Sequence, residues 1–323
     1  MREGWDLMNA TQRLFNTTRT VSNALVALAI ALSLIFTSLF GSGNLGWQVA
    51  LALIALLIGI PHGALDHLVT LPKANPLKLS LFILIYVLIA AASIWAILNW
   101  NVLGFQVVVI MSAAHFGIGD AAFISESARL NGEAGSSIFL RLVYAIPAGA
   151  LPVLIPLTSD KTNSALAQVN PKIVNWSGAN TSTIHILVLA ITFLSIAILL
   201  YMRDYKSVRD LILLAILALL TPPLVAFAIY FGLWHALRHT ARLTLNLPKS
   251  IAAYELNDPV KAFWQAVIPG LPALAGTFAV AIFLASRNSE NSKILWSTLV
   301  VVWALTVPHM MVTAKLDKGA LIK

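Results

Sequence analysis

Between Val21 and Ala314 long apolar runs alternate with short polar breaks, and each run is close to the roughly 20 residues that a helix needs to cross a bilayer. Ten runs are read this way: 21–41, 46–65, 79–99, 103–123, 138–157, 184–202, 210–221, 224–243, 262–286 and 294–314. The pattern predicts an all-α fold, a polytopic integral membrane helical bundle of about ten transmembrane helices. It forms one transmembrane domain over residues 1–323, with residues 1–20 as a cytoplasmic N-terminal segment. The first run follows Arg2, Arg13 and Arg19 and is longer than a secretory h-region, so it is read as an uncleaved span.

Residues 210–243 fit either one long helix or a hairpin broken at Pro222-Pro223, because proline disfavours continuing a helix through it. Charge separates the two readings. With a hairpin and both termini cytoplasmic, all but four of the 21 Lys and Arg residues fall on the inner side. The exceptions are Lys161, Lys172, Arg287 and Lys293, and this bias is what the positive-inside rule demands. An odd number of spans would move the group from Arg238 to Lys261 outward. The run 210–221 is short and is expected to be tilted, partly re-entrant or shielded by neighbours. Residues 158–183, rich in Ser, Thr and Asn, are expected to form a solvated outer cap.

Composition supports this solvent assignment. The 323 residues are 59% hydrophobic and 11% charged, against roughly 25% charged in soluble domains. The Lys and Arg residues behind the net charge of +8 sit singly or in small groups between apolar runs rather than on one basic surface, so no nucleic-acid partner is expected. The protein is assigned to the cell (inner) membrane as a multi-pass protein. There is no cysteine, which excludes disulfides, thiolate metal sites and iron–sulfur clusters and leaves histidine as the strong nitrogen ligand.

Ionisable groups inside apolar spans are costly and usually face a bundle interior or cavity. Here they form four clusters: Pro61-His62-Gly63-Ala64-Leu65-Asp66-His67, Ala114-His115-Phe116-Gly117-Ile118-Gly119-Asp120, Trp234-His235-Ala236-Leu237-Arg238-His239, and Pro308-His309. On a continuous helix Asp66 lies one turn from His62 and His67 points away. His235 and His239, four residues apart, share a face about 40° wide, as metal ligands do. Each cluster also has an ordinary explanation: a helix end with snorkelling polar groups, a packed core histidine, or a chance HxxxH pattern. Orientation changes that balance, because alternating spans carry His62, His67, His115, His235, His239 and His309 to one side of the bilayer. His185, at the outer start of its span, stands apart and is assigned no function.

Clustered neutral imidazoles without thiolate suit iron, zinc or copper, and a redox metal with open positions activates dioxygen. Asp66 and Asp120 are expected to fix imidazole tautomers from outside the ligand set, and His309 is placed outside it by first preference, with a direct ligand or a helix-end cap as the alternatives. An apolar bundle implies an apolar substrate entering from membrane lipid. Phe116, Tyr230, Phe231, Trp234 and Trp303 are candidates to line its path, with ordinary packing as the alternative for most of them.

In their order and combination the four motifs resemble the Brp/Blh family of bacterial and archaeal β-carotene 15,15′-dioxygenases, a resemblance that covers the chain from the second span to the tenth. The resemblance implies an Fe(2+) cofactor held by His62, His115, His235 and His239. It also implies β-carotene and O2 as substrates, two retinal molecules as products, and a retinal-receiving rhodopsin as partner. On this resemblance His67, with Asp66, Asp120 and His309, falls outside the ligand set, although His67 could exchange roles with His62. Against this stand a di-iron desaturase or hydroxylase, which needs about eight histidines, a haem-binding or transport protein, and a rhodopsin assembly factor without catalysis.

Overall fold

A computed structural model describes residues 2–41, 43–71, 75–133, 135–286 and 293–322, and among these residues there are helices and turns but no strand. Lys73, Arg287 and Lys323, which enter the charge argument, lie outside the described residues. In chain order the helices are α1 (Arg2–Phe40), α2 (Leu45–Gly63), α3 (Asp66–Thr70), α4 (Pro76–Asn99), α5 (Asn101–Leu130), α6 (Ile138–Leu157), α7 (Asp160–Val169) and α8 (Thr181–Tyr201). They continue with α9 (Tyr205–Leu220), α10 (Pro223–Ile229), a π-helical turn (Tyr230–His235), α11 (Ala236–Leu243), α12 (Pro248–Glu255), α13 (Pro259–Gln265), α14 (Pro272–Ser286) and α15 (Lys293–Ile322).

Local chemistry sets several of these starts. Asn44, Asn75, Ser137, Asp204 and Asp258 each accept a hydrogen bond from a backbone N–H in the first turn of α2, α4, α6, α9 and α13. Pro76 and Pro259 follow their caps at positions where the missing N–H costs nothing.

Among the described residues, eight helical stretches are long and apolar enough to cross a membrane: Asn9–Phe40, Leu45–Thr70, Pro76–Asn99, Asn101–Leu130, Ile138–Leu157, Gly178–Tyr201, Pro259–Ser286 and Trp296–Leu321. Their outer surface is apolar: Leu84, Val87 and Leu88 on α4 and Phe193 and Leu194 on α8 are all exposed. Soluble monomers rarely expose contiguous patches of this kind, so the chain is a membrane protein.

The other two expected spans pack differently. With 16 residues, α9 is about 24 Å long against a hydrocarbon core of about 30 Å. It ends before Pro222, and α10 begins at Pro223, so the double proline does break the chain. Arg238 on α11 reaches back to Asp210 near the start of α9 at 3.3 Å, which closes α9–α11 into a hairpin. One face of the hairpin is buried, at Leu211, Leu214, Leu217, Tyr230 and Trp234, while Ile212, Ile216, Leu219 and Leu220 of α9 are exposed.

Small residues let neighbouring segments closely approach the helices that carry His62 and His115. A Cβ on Gly149 of α6 would lie 1.9 Å from the Ala113 carbonyl oxygen of α5, and one on Gly117 would lie 2.1 Å from the Ala145 carbonyl oxygen. A Cβ on Gly270 would meet the Pro61 carbonyl oxygen at 2.1 Å, one residue before His62.

Two expectations change here. The second span is not one helix through Asp66. It ends at Gly63 and restarts at Asp66, with Ala64 and Leu65 forming a turn after Pro61. Residues 158–183 are not simply a solvated cap, because they contain α7 and bury Ile173 and Trp176, whose indole N–H donates to the Leu157 carbonyl at 3.0 Å.

Candidate functional site

Five imidazoles from four separate stretches of chain meet inside the bundle. His62 comes from the last turn of α2, His115 from the middle of α5, His235 from the end of the π turn, His239 from α11 and His309 from α15; all five are buried.

Four of the rings form a closed circuit. Successive centroid distances are 5.4 Å from His62 to His235, 5.1 Å from His235 to His115, 5.2 Å from His115 to His309 and 5.4 Å from His309 back to His62. Adjacent planes are inclined by 69–82°, so each ring presents an edge to its neighbour. His239 caps the circuit, 5.1 Å from His62, 5.3 Å from His309, 5.6 Å from His235 and 6.2 Å from His115. The four circuit rings line a cavity of about 280 Å³, whereas His239 does not touch it. The cavity therefore has an imidazole floor with a fifth ring behind.

The nitrogens show which way the rings are prepared. His62 Nδ1 bonds the Gly59 carbonyl one turn earlier, so with Nδ1–H as donor its lone pair lies on Nε2. His309 Nδ1 lies 3.0 Å from both carboxylate oxygens of Asp66, which leaves its lone pair on Nε2 by the same logic. His235 Nε2, both nitrogens of His239, and His309 Nε2 are buried without a hydrogen-bond partner in the protein. An unmet buried polar atom costs about 1–3 kcal/mol, so three rings with bare nitrogens in one spot call for a shared partner, which could take one of the two nitrogens of His239.

A metal ion meets that requirement chemically. Imidazole binds at about 2.1 Å, which puts ring centroids about 3.2 Å from the ion and neighbouring rings at right angles about 4.5 Å apart. The observed circuit is wider by about half an ångström per ring on that scale, and among the described residues no group of three donors already meets the spacing of a metal shell. The donor set fits a metal, and closing the shell asks only for a small inward movement of each ring.

The cavity walls are apolar. Phe116, Phe231 and Trp303 line it as expected; Tyr230 and Trp234 do not. Tyr230 is fully buried against Phe116 with centroids 5.1 Å apart, and Trp234 is turned the other way, donating its indole N–H to Asp120 at 2.6 Å. Sequence reasoning missed Phe82, Tyr86 and Phe227, which also line the cavity. For Phe227 a signal existed. Phe227, Phe231, His235 and His239 are spaced by four and stack in sequence, with centroids 6.2, 6.5 and 5.6 Å apart. Each step of four along an α-helix drifts about 40° around the axis. The π turn winds less per residue, offsets that drift, and keeps the ladder on one face.

The carboxylates divide. Asp66 accepts from His309 and from the Tyr86 hydroxyl at 2.9 Å. Asp120, expected to fix an imidazole, instead accepts from Tyr144, Trp234 and Arg238 at 3.1, 2.6 and 3.3 Å. Arg238 lies with its guanidinium carbon 3.5 Å above the Trp234 ring and also bonds Ser22, Asn23 and Asp210. Arg242 pairs with Glu126 at 2.8 Å and Asp317 at 2.7 Å. Both arginines, counted above as inner-side charges, are buried in ion pairs, so they bear on packing rather than on loop charge. His67 bonds its own-turn Ala64 carbonyl at 3.1 Å and touches the cavity, although the unbroken helix had pointed it away. His185 bonds the Ile155 carbonyl at 3.3 Å, apart from the five rings.

The fold and site together define a helical membrane protein that holds a cluster of imidazoles at the floor of an apolar cavity. By comparison with known sequences, the chain belongs to the β-carotene 15,15′-dioxygenase family, whose model matches residues 51–317. It is 26% identical over 278 residues to a β-carotene 15,15′-dioxygenase of the uncultured marine bacterium 66A03, covering 81% of this chain and 90% of that one. It is 24% identical over 297 residues to a probable β-carotene 15,15′-dioxygenase, Blh, of Halobacterium salinarum, covering 82% of each. No solved structure matches the chain.

Proposed function

We propose that this protein cleaves the central 15,15′ double bond of β-carotene with dioxygen, giving two molecules of all-trans-retinal that supply a rhodopsin. The observation that carries the reading is the imidazole floor facing an apolar cavity in a chain of this family. The protein works as a multi-pass protein of the cell membrane, with the α9–α11 hairpin completing ten crossings and both termini cytoplasmic.

The side chains that hold the cofactor are His62, His115, His235 and His239, donating neutral ring nitrogens. Iron(II) bound by them supplies the activation of dioxygen. Everything else is positioning. One hydrocarbon double bond and one O2 become two aldehydes, so the balance consumes no proton and no external electron, and a site of neutral rings without a general base suffices.

Ile83 and Val87 both line the cavity and lie on the exposed outer face of α4, so the cavity reaches the surface that lipid covers. At about 280 Å³ it sits at the lower end of the roughly 300–1,000 Å³ typical of ligand pockets. It takes one end of a long polyene while the other end extends toward lipid. Phe82, Phe116, Phe227, Phe231 and Trp303 grip that end by contact alone, and the depth at which it stops decides which bond lies over the histidines.

The alternatives fit less well. Eight of the ten pairs among the five rings have centroids 5.1–6.2 Å apart, which crowds the plane that a porphyrin would need between two axial histidines. A di-iron site of the desaturase or hydroxylase type needs about eight histidines, and five imidazoles gather here. The test is retinal formation from β-carotene by detergent-purified protein with iron(II). His235→Ala and His239→Ala are expected to abolish it, and undiminished activity in either variant contradicts the proposal.

A further inference from the structure

We infer that His309 is a fifth direct metal donor, oriented through Asp66 and Tyr86, rather than a group acting from outside the ligand set. The inference rests on the metal reading above and adds to the four histidines that the family resemblance implies.

Three independent observations carry it. The His309 ring belongs to the circuit on equal terms, 5.2 Å from His115 and 5.4 Å from His62, distances matched by the edges at His235. It lines the cavity beside His62, His115 and His235, whereas the assigned donor His239 lies behind them. Its Nε2 is buried without a partner while Nδ1 faces both oxygens of Asp66. A group acting from outside the shell would spend its free nitrogen on a ligand; this one spends its other nitrogen on a carboxylate and keeps Nε2 bare.

The support behind the ring is specific as well. Asp66 is buried and held by the Tyr86 hydroxyl at 2.9 Å, and that hydroxyl also lies 3.5 Å from the Leu305 carbonyl, one turn before His309 on the same helix. Carboxylate–histidine–metal arrangements fix the tautomer of the ligand and raise its basicity. The break after Gly63 is what brings Asp66 round to His309, because a continuous helix would have kept it beneath His62. His67, the other histidine of that motif, bonds its own turn and has no ring contact with the five.

The experiment is X-ray absorption at the iron edge on the full chain purified in detergent, counting imidazoles, together with iron affinity measured by competition with a chelator. Wild type is expected to show five imidazoles and His309→Ala four. Asp66→Asn is expected to weaken iron binding by about 10- to 100-fold, and His185→Ala to leave it unchanged. A wild-type count of four, or a His309→Ala protein with wild-type iron affinity, overturns the inference; the wild-type count decides even if a variant does not fold. Protein that binds iron through four rings and cleaves β-carotene sinks this inference alone, whereas protein that binds no iron sinks the functional proposal with it.

Discussion

Gly149→Ala tests how the fold sets the imidazole spacing, without touching any histidine. The added methyl would sit 1.9 Å from the Ala113 carbonyl oxygen and 2.8 Å from the Gly117 nitrogen, and both are backbone atoms that cannot rotate away. Restoring ordinary contact of about 3.4 Å requires α5 and α6 to part by about 1.5 Å, an overpacking that costs about 1–3 kcal/mol. Ala113 lies two residues before His115, so the shift is expected to carry that ring away from His235, 5.1 Å distant. Misplacing a reacting geometry by about 1 Å costs about 100-fold in rate. The expected result is a chain that still inserts and folds, with a lower melting temperature and retinal formation reduced by about two orders of magnitude. The assay is product formation alongside thermal unfolding in the same detergent. A Gly149→Ala protein with wild-type stability and rate would show that the close α5–α6 approach does not set the site.

Other outcomes follow from the same geometry. Arg238→Met strands Asp120 without its cation, while Asp210 keeps Arg19 at 2.9 Å, and breaking a buried pair from one side costs about 3–5 kcal/mol. It is expected to lower the melting temperature and the iron content together, whereas an unchanged melting temperature would deny that Arg238 clamps the helix bearing His235 and His239. Trp303→Ala enlarges the cavity wall, and asymmetric apocarotenals beside retinal are expected in the product chromatogram; strictly central cleavage would show that depth is set elsewhere. Removing iron with a chelator is expected to abolish turnover, with recovery on adding iron(II) but not zinc, which lacks redox chemistry. Recovery with zinc would contradict dioxygen activation.

What the sequence made legible was largely what depends on one helix at a time. Apolar runs located the eight long membrane helices, and the double proline marked a true break, because lipid and proline act on the local chain. Pairing between helices was harder to read. Asp120 stands near His115 in sequence, yet Arg238, from a helix more than a hundred residues away, takes it. Asp66 looked like a partner for His62 only while the helix was taken as continuous, and the turn at Ala64-Leu65 sends it to His309. The π turn was hidden because its shifted hydrogen-bond pattern leaves no compositional mark, although the four-residue spacing of Phe227, Phe231, His235 and His239 recorded its effect. The charge count took Arg238 and Arg242 for flanking residues because a buried arginine and a loop arginine are identical in sequence.

The most direct test of the central claim measures product stoichiometry and metal content on one preparation supplied with β-carotene, iron(II) and dioxygen. The account predicts two retinals for each β-carotene consumed, in proportion to bound iron, with both lost in the combined His235→Ala and His239→Ala variant. Retinal formed by that variant, or by wild-type protein free of iron, would contradict it.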